Sequence, residues 1–346
     1  RVRDAGDRPR RPDPALPGRL RLLGRAGAIP AAALASARRN WLVWAAVIPV
    51  AIWTFLRVLG LDHGFPLATA MPFTPYVAVA ALLTAGVAVA LENWAAAAVA
   101  AFATFCLAAA VLPRAIGDGT VEAAGRETLD VLSTNILRGR ADAEAVVALV
   151  ERHDPDLLSV QELTPRFARE LRAAGLGELL PHELLEVAQG SAGSGLYSRL
   201  PLRPLPGPDQ FAFRMPRAEL TMPDGRRVRV VGVHPYPPQP NNVGVWEESL
   251  ASLPSAGRGA PWVLAGDFNA TLDQSQFRDL LDRGYRDAGA VAGEGLEPTF
   301  PRLGHLIPPI TIDHVLADRR LDVVEYSVGE MPGSDHRPVH AVLALP

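Results

Sequence analysis

The sequence has one cysteine and no lysine among its 346 residues. A lone thiol excludes an intramolecular disulfide, so any folded part must rest on its own core, and it rules out a cysteine-built metal site. The missing lysine, with abundant Ala, Pro and Gly, points through codon bias to a GC-rich bacterial genome. No internal repeat is visible. A basic excess is also lacking where a nucleic-acid binder would need one: residues 120–346 carry 22 Arg against 31 acids, a net of −9. Residues 1–119 carry 12 Arg against 6 acids, a net of +6, so the overall charge of −3 conceals two oppositely charged parts.

What is present begins with a tail. Residues 1–40 hold 10 Arg with many Pro and Gly and little periodic hydrophobicity, a composition that buries no core and predicts a disordered basic segment. Three apolar runs follow, near 41–61, 72–91 and 94–112, each long enough to cross a bilayer as a helix. Only Glu92 and Asn93 part the last two, which predicts a tight hairpin. Buried helices of a soluble protein are the alternative, but three such runs with almost no charge argue against it. A cleaved signal peptide is excluded by the long tail and by the succession of runs. Arg57, near the end of the first run, is expected to snorkel to the interface. The positive-inside tendency then places the N-terminus in the cytoplasm and, after three crossings, the rest of the chain outside a plasma membrane. Cys106 lies in the third run. Residues 113–126, with Pro113, Gly117, Gly119 and Gly125, predict a linker.

From residue 127 onward, short apolar segments alternate with a few amphipathic ones, and several end on acid, amide or imidazole. LDVLSTN ends on Asn135, DLLSVQE on Gln161 and Glu162, VRVVGVH on His234, and WVLAGDFN delivers Asp267 and Asn269 two residues apart. ITIDHVLAD supplies Asp313, and GSDHRP supplies Ser334, Asp335 and His336. Period two puts Asp267 and Asn269 on one side of their strand. Core packing gives no reason for such endings, whereas a hard divalent cation binds carboxylate and amide oxygens. Glu162 is the strongest single candidate for a metal ligand, because an acid closing an apolar strand is costly unless it holds a cation. Paired strands with helices set outside predict two sheets packed face to face in an α/β (α+β) domain. Asp224-Gly225 marks a hairpin, and strands are expected near 211–221 and 227–233.

In order and content these motifs closely resemble the endonuclease/exonuclease/phosphatase superfamily. The resemblance implies a four-layer α/β/β/α sandwich over residues 127–346, preceded by three transmembrane helices, with the site at one mouth. It further implies a metal site of Glu162, Asn135 and Asp335 holding Mg²⁺, with Mn²⁺ as substitute. Asp267 would orient and deprotonate water, Asn269 would bind a phosphate oxygen, and His336, held by Asp313, would act as phosphate-binding histidine and general acid or base. His234 would donate from the opposite side. His314 should point away on its strand, Arg199 reads as scaffold, and Tyr236, Asn241 and Asn242 fit a solvated loop. His63, His153, His182, His305 and His340 have no place in this frame.

The chain departs from the abasic-site enzymes at Leu137, where they carry a further acid, so the metal site would lean more on Glu162 and Asp335. Three spans before such a domain resemble the VanJ-type membrane proteins of actinomycetes. The expected activity is metal-dependent phosphoester hydrolysis outside the cytoplasm, on lipid-linked or small phosphoesters. Extracellular nuclease is the alternative and a non-catalytic membrane sensor a weaker one. Membrane lipids are the expected partner, and the acidic domain predicts no stable nucleic-acid partner.

Overall fold

The computed structural model describes residues 31–208, 210–302 and 307–346, with side chains from residue 38 onward. Most of the basic tail therefore lies outside the described residues, as does His305. The chain divides after Leu42: residues 1–42 form one unit and residues 43–346 the other. Helix α1 (Ala31–Leu59) starts inside what the composition assigned to the disordered tail. The run Ala-Ala-Ala-Leu-Ala-Ser-Ala at 31–37 explains this, since alanine is the strongest helix former and prolines stop at Pro30.

After α1 come α2 (Leu67–Ala70), α3 (Thr74–Ala90), α4 (Trp94–Val111) and α5 (Pro113–Ile116). Three stretches, Arg38–Leu59, Leu67–Ala90 and Trp94–Val111, are long and apolar enough to cross a membrane. Asn93 caps α4 by accepting from Ala96 N at 3.3 Å, which fixes the predicted hairpin. Alanines at 81, 88, 96, 97, 100 and 103 are buried between the helices, where small side chains allow close approach. Leu82, Leu83, Phe102 and Phe105 point outward and are 60–70% exposed, an arrangement suited to lipid and not to water.

Among the described residues twelve strands form two six-stranded sheets. The first is ordered β11 (Asp322–Val328), β12 (Val339–Ala344), β1 (Thr128–Asn135), β2 (Leu157–Gln161), β4 (Ser194–Ser198), β3 (His182–Glu186). The second is ordered β5 (Leu202–Pro204), β6 (Arg217–Thr221), β7 (Arg227–Val233), β8 (Trp262–Asp267), β10 (Asp313–Asp318), β9 (Tyr285–Asp287). Leu129, Val131, Leu157, Val230, Val263, Val315 and Leu343 meet between the sheets. Helices α6 (Ala143–His153), α7 (Pro165–Ala173) and α8 (Leu176–Leu179) cover the outer face of the first sheet through Val146, Val150 and Phe167. Helices α9 (Val243–Ala251) and α10 (Ser275–Asp282) cover the second through Trp246 and Phe277. α11 (Ala288–Ala292) packs at the end of the central core. This is the expected four-layer sandwich. The strand expected over 211–221 forms only from Arg217, because Pro216 removes a ladder donor and Arg214 N is drawn to Ala192 O at 2.8 Å.

The junction between the apolar helices and the sandwich is polar and tightly bonded. Arg57 is 7% exposed and does not reach outward as its position suggested. Its Nε donates to Asp273 Oδ1 at 3.2 Å, while Arg114 donates to Asp273 Oδ2 at 2.6 Å. Arg114 belongs to α5, so the expected linker starts with a helical turn pinned by one buried arginine instead of a free tether. Ser275 N donates to Asp62 Oδ2 at 2.9 Å and Gly64 N to Glu247 Oε1 at 3.0 Å. One carboxylate thus neutralises two guanidinium groups where water is excluded. Removing that charge leaves both uncompensated, at about 3–5 kcal/mol. Asp273→Asn is expected to lower the thermal midpoint of the detergent-solubilised protein and expose the 57–66 and 113–120 segments to protease. An unchanged midpoint and digestion pattern would show that the pairs carry no stability.

Candidate active site

Side chains that face the inter-sheet core recur every second residue, and at one end of that seam the apolar series turns polar. On β1 the inward series is Leu129, Val131, Ser133, Asn135, and on β2 it is Leu157, Ser159, Gln161. On β7 it is Val228, Val230, Gly232 and then His234, on β8 Val263, Ala265 and Asp267. Asp313 opens β10 directly opposite Asp267, and Asn135 pairs in register with Gln161. One parity rule therefore brings five polar strand ends from both sheets to a single mouth. Serines and a glycine mediate the change: Ser159 Oγ donates to Ala265 O at 3.0 Å, tying the sheets together, and accepts from Gln161 Nε2 at 2.8 Å.

Gly266 stands where β7 and β8 touch. A Cβ there would lie 2.0 Å from Val233 O, so only glycine permits this approach. After it, Asp267 Oδ1 accepts from Asn269 N at 2.8 Å and Oδ2 accepts from Asn135 Nδ2 at 3.0 Å. Asn269 takes a left-handed conformation (φ 48°), which asparagine tolerates, and its Nδ2 donates to Pro235 O at 3.1 Å. Between the two polar residues Phe268 is fully buried, edge-on to Phe277 at 5.3 Å, with its carbonyl bonded by Trp246 Nε1 at 3.2 Å. That plug fixes the turn.

His336 Nδ1 lies 2.9 Å from Asp313 Oδ2, and its Nε2 lies 3.8 Å from Asp267 Oδ2. His234 Nε2 approaches the same Asp267 oxygen at 3.8 Å. Burial works against charging His336, yet the Asp313 and Asp267 carboxylates outweigh it and hold its pKa at about 10. Burial, reinforced by the His336 charge, pushes His234 down to about 3. Burial drives Asp267 upward from the ordinary carboxylate range, against the pull of His336. The mouth therefore holds a cationic and a neutral imidazole on either side of one carboxylate, an arrangement suited to acid-base work on an anion.

The Endonuclease/Exonuclease/phosphatase family model matches residues 132–336. The chain belongs to that family. Its members are phosphoesterases and nucleases. Among solved structures, humanised Danio rerio TDP2 carrying 14 mutations aligns at 16% identity over 62% of this chain and 98% of that one, with a TM-score of 0.51. Caenorhabditis elegans TDP2 (17%, 63% and 97%, TM-score 0.49) and a Bacteroides vulgatus endonuclease/exonuclease/phosphatase protein (16%, 64% and 100%, TM-score 0.48) are also similar. No curated protein sequence matches the chain.

Family members use divalent metals, and among the described residues two sets of side chains are candidates for holding one. Asp267, Asp313 and His336 lie within 4.8 Å of one another, but His336 already sits between the two carboxylates as a cation. The other group flanks Asn135. Glu162 Oε2 and Asp335 Oδ1 are buried without a hydrogen-bond partner, and the nearest guanidinium to Glu162 is Arg138 at 3.9 Å. Buried carboxylate oxygens left bare in this way call for a cation, and all-oxygen donors fit a hard one. Glu162 also adopts a left-handed conformation (φ 61°), a departure that concentrates at functional sites. Ser334 Oγ donates to Asn135 O at 2.7 Å, which brings the Asp335 segment against the end of β1.

Several supporting residues gave no signal in the sequence. Phe300 lies over His336 at 4.7 Å, and Phe213 stacks on both His234 at 4.9 Å and Tyr236 at 4.0 Å. Thr299 Oγ1 accepts from Ile312 N and Asp313 N, steadying Asp313. Tyr236 is thus part of a half-buried aromatic rim, not a solvated loop residue. His314 faces the outer layer, bonded to Asp287 at 2.8 Å and Ala270 O at 3.0 Å. Arg199 binds Asp154 at the opposite end of β4 from the mouth, and His340 binds Asp130 at 2.7 Å, also away from it.

A folded pKa of about 10 against about 6.5 in an unfolded chain means that His336 protonation stabilises the fold fully below about pH 6.5, and that this contribution is lost as pH rises through about 10. In chelator, histidine-selective NMR should show His336 charged and His234 neutral from about pH 5 to pH 8. Asp313→Asn should bring His336 back toward the ordinary value. A wild-type His336 titrating near about 6.5 would contradict the assigned geometry.

Proposed function

We propose that the protein is a membrane-anchored, divalent-metal-dependent phosphoester hydrolase, acting outside the cytoplasm on a lipid-linked phosphoester. What supports the membrane-borne substrate is where the mouth lies relative to the apolar helices. The loop after His234 accepts at Pro238 O from Thr69 Oγ1 at 2.6 Å. The segment before Asp313 accepts at Pro309 O from Tyr76 OH at 2.6 Å. Just beyond Asn269, Gln274 Nε2 donates to Ala68 O at 2.7 Å. The loops around the catalytic residues are thus bonded to the α2–α3 segment, so a lipid phosphate diffusing in the bilayer meets them at high effective concentration. Ten arginines ahead of the first apolar run at Trp41 favour a cytoplasmic N-terminus, which after three crossings leaves this domain outside.

Glu162, Asn135 and Asp335 would hold Mg²⁺ or Mn²⁺, which when bound supplies charge neutralisation on the phosphate and a lower pKa for water. Asp267, held by Asn135 and by the Asn269 amide N–H, orients the attacking water and takes its proton. His336, kept cationic by Asp313, donates to the phosphate or to the departing oxygen. His234, neutral, offers an N–H from the other side, and Asn269 keeps one amide hydrogen for a phosphate oxygen. The acidic domain, with a net of −9 over residues 120–346, gives nucleic acid little electrostatic hold.

The test uses full-length protein in vesicles with Mg²⁺ or Mn²⁺. Glu162→Ala and Asp267→Ala should each lower kcat/KM about a hundredfold or more. Polyprenyl or phospholipid phosphates should be cleaved more efficiently than single- or double-stranded DNA or RNA. Undiminished turnover in excess chelator would overturn the hydrolase reading, and faster cleavage of nucleic acid than of every lipid phosphate would overturn the lipid substrate.

A further inference from the structure

A second cavity, of about 290 Å³, lies away from the catalytic mouth, where α1 and α4 end against α10 and α11. Four guanidinium groups line it, those of Arg57, Arg114, Arg278 and Arg286. Arg57 and Arg114 share Asp273, yet Arg114 Nε is buried and unpartnered, although the residue is only 5% exposed. Arg278 is held by carbonyls alone, those of Asp273 and Arg57, and it forms no ion pair among the described residues. Arg286 donates from Nη2 to Arg319 O at 2.7 Å and reaches Asp322 only at 3.6 Å. The carboxylates facing the cavity are Asp118, which is exposed, and Asp287, which is already engaged by His314 and by the N-terminus of α11.

Among the lining side chains four guanidinium groups face two carboxylates, with Asp62, Asp273 and Asp279 standing behind Arg278. Burial, together with the charge of Arg57, lowers the Arg278 pKa, as expected in such a field. With the membrane anchoring proposed above, on which this site rests, the cavity's walls give its depth. Ala110 is the penultimate residue of α4 and Arg57 is two residues from the end of α1, so the guanidinium groups sit at the level where an apolar span gives way to headgroups. Leu281 adds an apolar side. Junction stability explains Arg57 and Arg114 through Asp273, but it gives no role to Arg286 and none to the bare Arg114 Nε.

We propose that this cavity binds the phosphate of an anionic phospholipid, as a site separate from the catalytic one. Arginine matches it through planar, multiply donating contacts to phosphate oxygens. Occupancy fixes the sandwich against the bilayer at the junction, independently of turnover.

The experiment uses the full-length protein in neutral detergent and measures retention of phosphatidylglycerol against phosphatidylcholine of the same chains by native mass spectrometry. Wild type should prefer the anionic lipid about tenfold or more, and each lost guanidinium should reduce that preference about fivefold. Arg286→Gln, at a half-exposed position, tests the site without endangering the fold, and Arg278→Gln with Arg286→Gln should abolish the preference. Hydrolysis of a soluble phosphoester without added lipid should be unchanged in both variants. Equal retention of the two lipids, or an undiminished preference in the double variant, overturns the proposal. Inorganic phosphate that raises the melting temperature as much as the anionic lipid does would also overturn it, because the ligand would then be a soluble anion.

Discussion

Two sheets packed face to face leave their facing side chains no choice of direction: each strand must alternate, and every second residue enters the seam between them. Along most of the seam that series is apolar, and at one end it passes through Ser133, Ser159 and Gly232 into Asn135, Gln161, His234, Asp267 and Asp313. The core and the site are thus one continuous set of positions. A slip of one residue in any of these strands would exchange a candidate catalytic side chain for its neighbour, so packing at Val131 or Val263 also positions Asn135 or Asp267. Dense packing is what lets a buried carboxylate stand 3.8 Å from two imidazoles without collapsing onto either.

That continuity is also why the site was legible in the sequence. An apolar strand that stops on an acid, amide or imidazole is conspicuous, and Asn135, Glu162, His234 and Asp267 stand at such points, while Asp313 opens a strand and His336 precedes one. Their pairing across the mouth, the layers and the three apolar helices follow from the same alternation and run lengths. What could not be read is whatever depends on contact between distant segments. Phe213 and Phe300 look like ordinary aromatics until folding sets them against His234 and His336. Short elements such as β5, β9 and α11 carry too few residues for a period to register. Arg57 is the clearest case: an arginine near the end of an apolar run has an obvious outward path, and only the fold reveals Asp273 waiting inside.

Junction chemistry and catalytic chemistry meet in a short stretch of chain. Asp267 and Asn269 face the mouth, Thr271 to Ser275 bind the helices, and α10 follows directly. Because Asp273 anchors Arg57 and Arg114 six residues after Asp267, the apolar helices help to fix the segment that presents the candidate catalytic carboxylate. The same segment separates two environments, an anionic pair of bare oxygens at Glu162 and Asp335 and a cationic cavity beneath α10. Each would favour an ion of opposite sign, so the proposed metal and headgroup sites stand apart.

The central claim is that the bare carboxylate oxygens beside Asn135 are the cation site, while His336 serves as a proton carrier held by Asp313. Electron paramagnetic resonance of Mn²⁺ added to the full-length protein separates the two possibilities. The account predicts one tightly bound ion with oxygen ligands only, released by Glu162→Gln and retained in His336→Gln. Nitrogen coupling from a directly ligated imidazole, or Mn²⁺ binding that survives Glu162→Gln and is lost in His336→Gln, would contradict it.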